Sequence, residues 1–112
     1  MSDRELLELA AKAAGIDIYF DEDGDSYRTK ASGNRRYWNP LSFDGDALRL
    51  AVKLRINIEH MADMGGRDFG INCWPRGRGD CGQSEDSDLS DYCAATRRAI
   101  VRAAAQIGKA MP

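Results

Sequence analysis

"NRRYWNPLSFDGDALRLAVKLRI", residues 34–56, holds the junction on which the fold turns. In an extended segment successive side chains point to opposite sides, so Arg35 and Tyr37 share one side and Arg36 and Trp38 the other. Asn39 precedes Pro40, whose ring pushes it out of the helical region and ends the segment. Asp44-Gly45-Asp46 then opens a helix, with Asp44 as the expected N-cap and Asp46 placed where the helix dipole favours a carboxylate. Ala47, Leu48, Leu50, Ala51, Val52 and Leu54 cover about 200° of a wheel drawn at 100° per residue, leaving only Arg49 and Lys53 outward. A helix apolar over that arc is expected to be largely buried and to be the central packing element.

Upstream, Ser2-Asp3-Arg4-Glu5 fits a capping box, and Leu6, Leu9, Ala10 and Ala13 recur on one face of a first helix that Gly15 closes. Residues 16–20, "IDIYF", alternate as a half-buried strand. Residues 21–25 form a turn with Gly24 available for positive φ, 26–30 a second short strand and 31–34 another turn. Downstream, "INIEH" (56–60) and "DFGINCW" (68–74) pair as a hairpin, with Phe69, Ile71 and Cys73 alternating. Residues 75–90, "PRGRGDCGQSEDSDLS", read as one polar loop, longer than most connections in a small domain. Ser90 or Asp91 is the expected cap of a last helix with an apolar stripe of Cys93, Ile100, Val101, Ala104, Ile107 and Met111. Helices interleaved with antiparallel pairs make the class α+β, three helices packed on a small, mostly antiparallel sheet, with residues 1–112 as one domain.

The bulk properties narrow the function classes. The 112 residues are 43% hydrophobic and 30% charged, a globular profile, with a net charge of −2. An acidic balance argues against a general nucleic-acid coat, and DNA binding is not expected. No apolar run approaches the roughly 18–20 residues that span a bilayer, so no membrane partner is expected. The N-terminus resembles neither a signal nor a transit peptide, which points to the cytoplasm. Three cysteines, Cys73, Cys81 and Cys93, are then expected as free thiols, Cys73 and Cys93 on apolar faces and Cys81 in the loop.

Arg35, Arg36, Tyr37 and Trp38 are the first candidate binding residues: the guanidinium groups suit phosphate or carboxylate, and the rings offer stacking surfaces. The competing account makes Trp38 a core anchor and pairs the arginines with Asp44 and Asp46. The loop acids Asp80, Glu85, Asp86 and Asp88, with Asp91, form the second candidate, since binding residues concentrate on loops held by a scaffold. Arg97 falls near the apolar stripe of the last helix, where a charge needs a partner; Asp91, Glu59 or a pocket are the alternatives.

Metal, cofactor and catalytic signals are weak. "DEDGDS" fails the calcium-loop spacing, because Gly24 is the fourth residue from Asp21 and Ser32 the twelfth. Cys73, Cys81, Cys93 and His60 lack the close C-x₂₋₄-C pair of structural zinc sites. His60, the sole histidine, is expected in the core or at a strand end, and no G-x-S-x-G, P-loop or H-E-x-x-H pattern is present. Residues 78–80 spell RGD, a chance match in a chain without a secretory signal. No catalytic residue, metal or cofactor is assigned.

"RYWNPL…DGDALRLAVKL" followed by "AATRRAIVRAAAQIGKAM" resembles the phage ABA sandwich domain group, small proteins of tailed phages and prophages. The resemblance spans most of the chain in layout but not the 75–90 loop. It implies an α–β–α layered architecture and a phage or prophage origin, and it supplies no catalytic residues. From that origin follows the favoured expectation: a non-catalytic binding protein in the host cytoplasm that engages a host or phage protein, such as a defence component it inhibits. The alternative is a protein that binds and sequesters a nucleotide or other small molecule through Arg35, Arg36 and Trp38. A weaker alternative is a small enzyme using His60 and a cysteine. A homodimer is left open.

Overall fold

The computed structural model describes residues 2–29, 35–62, 69–74, 83–87 and 92–112. The elements run α1 (Asp3–Ala14), β1 (Ile18–Phe20), β2 (Ser26–Thr29), β3 (Arg35–Tyr37), α2 (Asp44–Leu54), β4 (Asn57–Ala62), β5 (Phe69–Trp74), β6 (Gln83–Ser87) and α3 (Tyr92–Ala110). The class is α+β as expected, but the strands form two antiparallel three-stranded meanders, β1-β2-β3 and β4-β5-β6, rather than one sheet. The reason lies in the junction: α2 follows β3 directly and carries the chain away before β4 begins.

Both flanking helices end in the same way. Gly15 takes φ +70°, and Ile16 N–H donates to Ala11 O at 2.9 Å. Arg55 takes φ +54°, and Ile56 N–H donates to Ala51 O at 2.9 Å. This is the six-to-one bond of a left-handed helix stop, and each hands an isoleucine to the interior. Gly15 adopts that backbone without steric cost, whereas Arg55 does so against the preference of an L residue. At the start of α1, Ser2 Oγ accepts from Glu5 N–H at 3.2 Å, the cap foreseen in the sequence.

The start and the burial of α2 depart from expectation. Phe43, not Asp44, occupies the N-cap and supplies no side-chain bond. Asp44 Oδ1 is instead held by Arg97 Nη1 at 2.7 Å. Nor is α2 largely buried: Leu48 and Val52 are 61% and 68% exposed. Its inward stripe is Asp46, Ala47, Leu50 and Ala51, so a carboxylate stands among the buried positions of the helix.

The central packing element is α3, where Ala99, Ile100, Val101, Ala103, Ala104 and Ala105 are all buried. Cys93 and Met111, expected in its apolar stripe, are exposed. α1 lies along α3 in the same direction, as shown by Arg98 on Asp3 at 3.1 Å near one end and Lys12 Nζ on Met111 O at 3.1 Å near the other. Gly108 permits the approach, because a Cβ there would collide with the Leu9 carbonyl oxygen. Ile71 and Cys73 of β5 complete the core from the second meander.

Part of the expected 75–90 loop is strand. Gln83–Ser87 pair antiparallel with β5, Glu85 opposite Ile71 and Asp86 opposite Gly70. "QSEDS" has no apolar alternation, so nothing in its pattern announces a strand; the β5 edge recruits it through backbone bonds. Asp80, Cys81 and Asp88, with the expected cap at Ser90 or Asp91, lie outside the described residues.

Candidate functional site: a cationic cleft between the first meander and α2

The register of the first meander sorts its side chains. Tyr19, Tyr27 and Tyr37 stand opposite one another in turn, as do Ile18, Arg28 and Arg36. Directly opposed residues of an antiparallel pair project to the same face. The tyrosines stack across the outer face, with ring centroids 5.7 Å apart for Tyr19–Tyr27 and 4.5 Å for Tyr27–Tyr37. A hydrogen bond with Tyr37, then burial, then Asp21 hold the Tyr27 phenol protonated well above the usual tyrosine range. Tyr37 is therefore engaged in a ladder and does not share a site with Trp38.

On the inner face Trp38 is buried and extends the β2–β3 pairing. Its N–H donates to Ser26 O at 3.0 Å, and Ser26 Oγ donates back to Trp38 O. The turn behind it is tied by Asn39: its carbonyl accepts from Ser42 and Phe43 N–H, and its side-chain oxygen from Leu41 N–H at 3.0 Å. Trp38 is a core anchor, and the junction is architecture first.

That architecture nonetheless builds a cleft. Its walls are Arg28 and Arg36 from β2 and β3, and Asp46, Arg49, Leu50 and Lys53 from α2; Ala14, Ile16 and Trp38 close it. The enclosed volume is about 170 Å³. Asp46 precedes Arg49 by three residues and Lys53 by seven, spacings that put all three on one face of the helix. The Asp46 carboxylate is buried, and both of its oxygens have partners. Oδ2 accepts from Asn39 N–H at 3.0 Å, and Oδ1 receives Arg49 Nη2 at 2.7 Å and Arg36 Nη2 at 3.6 Å. Arg28 and Lys53 have no ion pair or side-chain hydrogen bond among the described residues.

Among the sequence candidates whose side chains are described, Arg36 and Trp38 line this cleft. Arg35 is described by its backbone alone, paired with Thr29. Glu85 and Asp86 are register positions of β6 in the other meander. Arg97 belongs to a different place: its Nε donates to Leu41 O at 2.9 Å and its Nη1 to Asp44, so among the described residues its partner is Asp44 and not Glu59, while Asp91 lies outside them. It lines a groove of about 280 Å³ between α2, α3 and β4, walled mainly by apolar groups including Leu48, Ile58 and Ile100. The groove is larger than the cleft, but its one cation is already neutralised.

Arg28, Asp46, Arg49 and Lys53 were not picked out in the sequence as site residues. Two signals were available. Arg49 and Lys53 are the i,i+4 cations left on α2, and counting back through the expected 31–34 turn sets Arg28 opposite Arg36.

Asp21, Asp23 and Asp25 come within 4.8 Å of one another in the β1–β2 turn. The Asp21 Oδ1 accepts from the Asp23 and Asp25 N–H groups, so the first carboxylate closes the turn. His60 stands opposite Ile71 in the β4–β5 register. Cys73 is buried in the core and Cys93 is exposed, which leaves the expected apolar placement true of Cys73 alone.

The fold is similar to that of a phage protein from Bacillus cereus. That crystal structure matches with a TM-score of 0.53 at 14% identity, over 100% of this chain and 92% of that one. At this identity the likeness is one of fold. No protein-family model matches the sequence, and no curated protein does. What the neighbour supports is likeness of fold to a phage protein, and no family model ties the chain to the phage ABA sandwich group. No helix among the described residues is long and apolar enough to cross a membrane.

Proposed function

We propose that this chain is a phage-encoded, non-catalytic binding protein that takes a small phosphorylated ligand in the cleft between β2, β3 and α2. The observation that carries this is the set of four cations from three elements, Arg28 of β2, Arg36 of β3, and Arg49 and Lys53 of α2, around a single buried carboxylate. Asp46 offsets one of the four charges, and the remaining positive potential favours a further anion in the cleft. Guanidinium forks and an ammonium are the groups that phosphate oxygens prefer, and the apolar closing wall suits the uncharged part of a metabolite or nucleotide. The phage assignment is supported by the fold of the Bacillus cereus protein. Sequestration in the host cytoplasm is the role that fits a binder with no catalytic constellation assigned to it.

The test is thermal unfolding in inorganic pyrophosphate, adenosine monophosphate and adenosine triphosphate against sodium chloride of equal ionic strength. A ligand at about one hundred times its Kd adds about 2.7 kcal/mol, a rise of several degrees in Tm. Arg28→Gln and Arg36→Gln should each abolish the rise. No response to any phosphate compound sinks the proposal.

A protein partner is the second reading, supported by the exposed apolar strip of Phe43, Leu48, Val52 and Ile58. Sedimentation of the protein alone separates its forms: a concentration-dependent dimer lost in Leu48→Lys marks a second copy as the occupant. A monomer at all concentrations leaves a host or phage protein.

A further inference from the structure

The cleft carries a charge count as well as a charge sign, and the count chooses between classes of phosphate; this step rests on the phosphorylated-ligand reading above. Four cations line it against one carboxylate, an excess of three. They are not equivalent. Arg49 is bonded to Asp46 at 2.7 Å, while Arg36 stands off the same oxygen at 3.6 Å. The other Asp46 oxygen is occupied by Asn39 N–H. Asp46 thus neutralises Arg49, and neither Arg28 nor Lys53 is paired with it.

Arg28 and Arg36 are cross-strand partners, a like-charge pairing that destabilises a sheet. One negative charge offsets one member of such a pair; two offset both. A phosphate monoester carries about −1.5 to −2 near neutral pH and presents three strong acceptor oxygens. A phosphodiester carries one charge and presents two unesterified oxygens. The volume, about 170 Å³, lies below the roughly 300 Å³ at which pockets begin to enclose a drug-sized ligand. What the cleft encloses is therefore the anionic head group, with the remainder of the ligand reaching outward.

We propose that the cleft selects a terminal phosphate monoester, held as a dianion by Arg28, Arg36 and Lys53, and discriminates against phosphodiesters. Arg49 remains on Asp46 and acts as a positioning residue. The ligands that fit are nucleoside monophosphates, sugar phosphates and terminal phosphates of longer nucleotides. Internal phosphates of DNA or RNA strands do not.

The experiment is a pair of NMR titrations of the full chain at pH 8 and constant ionic strength, one with methyl phosphate and one with dimethyl phosphate. These probes differ by one esterified oxygen and one charge. Methyl phosphate is expected to bind at least tenfold more tightly, about 1.4 kcal/mol, with the largest amide shifts at Arg28, Arg36 and Lys53. Lys53→Gln and Arg28→Gln, each folded by its amide spectrum, should cut that preference to about threefold or less. Equal affinity for both esters at these residues overturns the monoester selection and leaves the phosphorylated-ligand reading intact. If neither ester nor inorganic pyrophosphate moves these amides, the cleft is not a phosphate site and both proposals fall.

Discussion

Arg28 and Arg36 face each other across β2 and β3 on the side of the sheet that meets α2. Opposed like charges lower sheet stability by about 0.2–1 kcal/mol. Arg28→Thr removes the repulsion and places a good strand former in β2. The variant should therefore be about 0.5 kcal/mol more stable in urea unfolding, while losing the response to pyrophosphate. A less stable variant would show that Arg28 serves the fold and not a ligand.

Asp46 is the opposite case, a charge the fold depends on. Its carboxylate satisfies the Asn39 N–H and holds Arg49 and Arg36. Asp46→Ala leaves a part-buried donor unpaired and frees two cations, at a cost of about 2 kcal/mol. Asp46→Asn keeps an acceptor and should cost about 1 kcal/mol. Urea midpoints of the two variants measure the difference; equal losses would mean that the charge, not the acceptor, is what matters.

How far this was legible depends on what each feature leaves in the sequence. Ser2, Gly15 and the alternation of residues 16–20 and 69–73 are local signals, and the helices and first strands follow from them. The α2 wheel misled because Leu48 and Val52 look like core by composition. Burial there was decided by where β2 and β3 lie, which put Asp46 inward. β6 leaves no signal because its five residues are polar and lack apolar alternation. The cleft was half legible: Arg36 and Trp38 stood in the quoted stretch, but Arg28 reaches it through strand register and Arg49 and Lys53 through helix placement. Arg97 was flagged correctly as a charge needing a partner, and the partner, Asp44, was hidden because a helix cap seemed its better use.

Gly108 sits where α3 meets the Leu9 carbonyl of α1. In an isolated helix Gly→Ala is favourable by about 1 kcal/mol. Here the added methyl must push the two helices apart, an overpacking cost of about 1–3 kcal/mol. Gly108→Ala should lower stability by about 2 kcal/mol and Gly108→Val by more. A stabilised Gly108→Ala would mean the helices separate without loss.

Arg55 is the described non-glycine residue with positive φ, at +54°. A side chain in that region costs about 1–2 kcal/mol. Arg55→Gly relieves it but loosens the unfolded chain, so the net gain expected is about 0.5–1 kcal/mol. Thermal unfolding checks it, and Arg55→Ala, which keeps the strain, should show no gain.

Burial pushes the Cys73 thiol up from 9.0 to about 11. The folded state therefore holds this proton where the unfolded state releases it. A raised folded pKa contributes stability that is fully present below pH 9 and lost as pH rises through about 11. Wild type should lose stability across that window more steeply than Cys73→Ala, in which no thiolate forms. The same burial protects the sulfur at neutral pH, where thiolate is the reactive form. Iodoacetamide labelling read by peptide mass should mark the exposed Cys93 and spare Cys73 until denaturant is added. Equal labelling of the two in the native protein would place β5 outside the core.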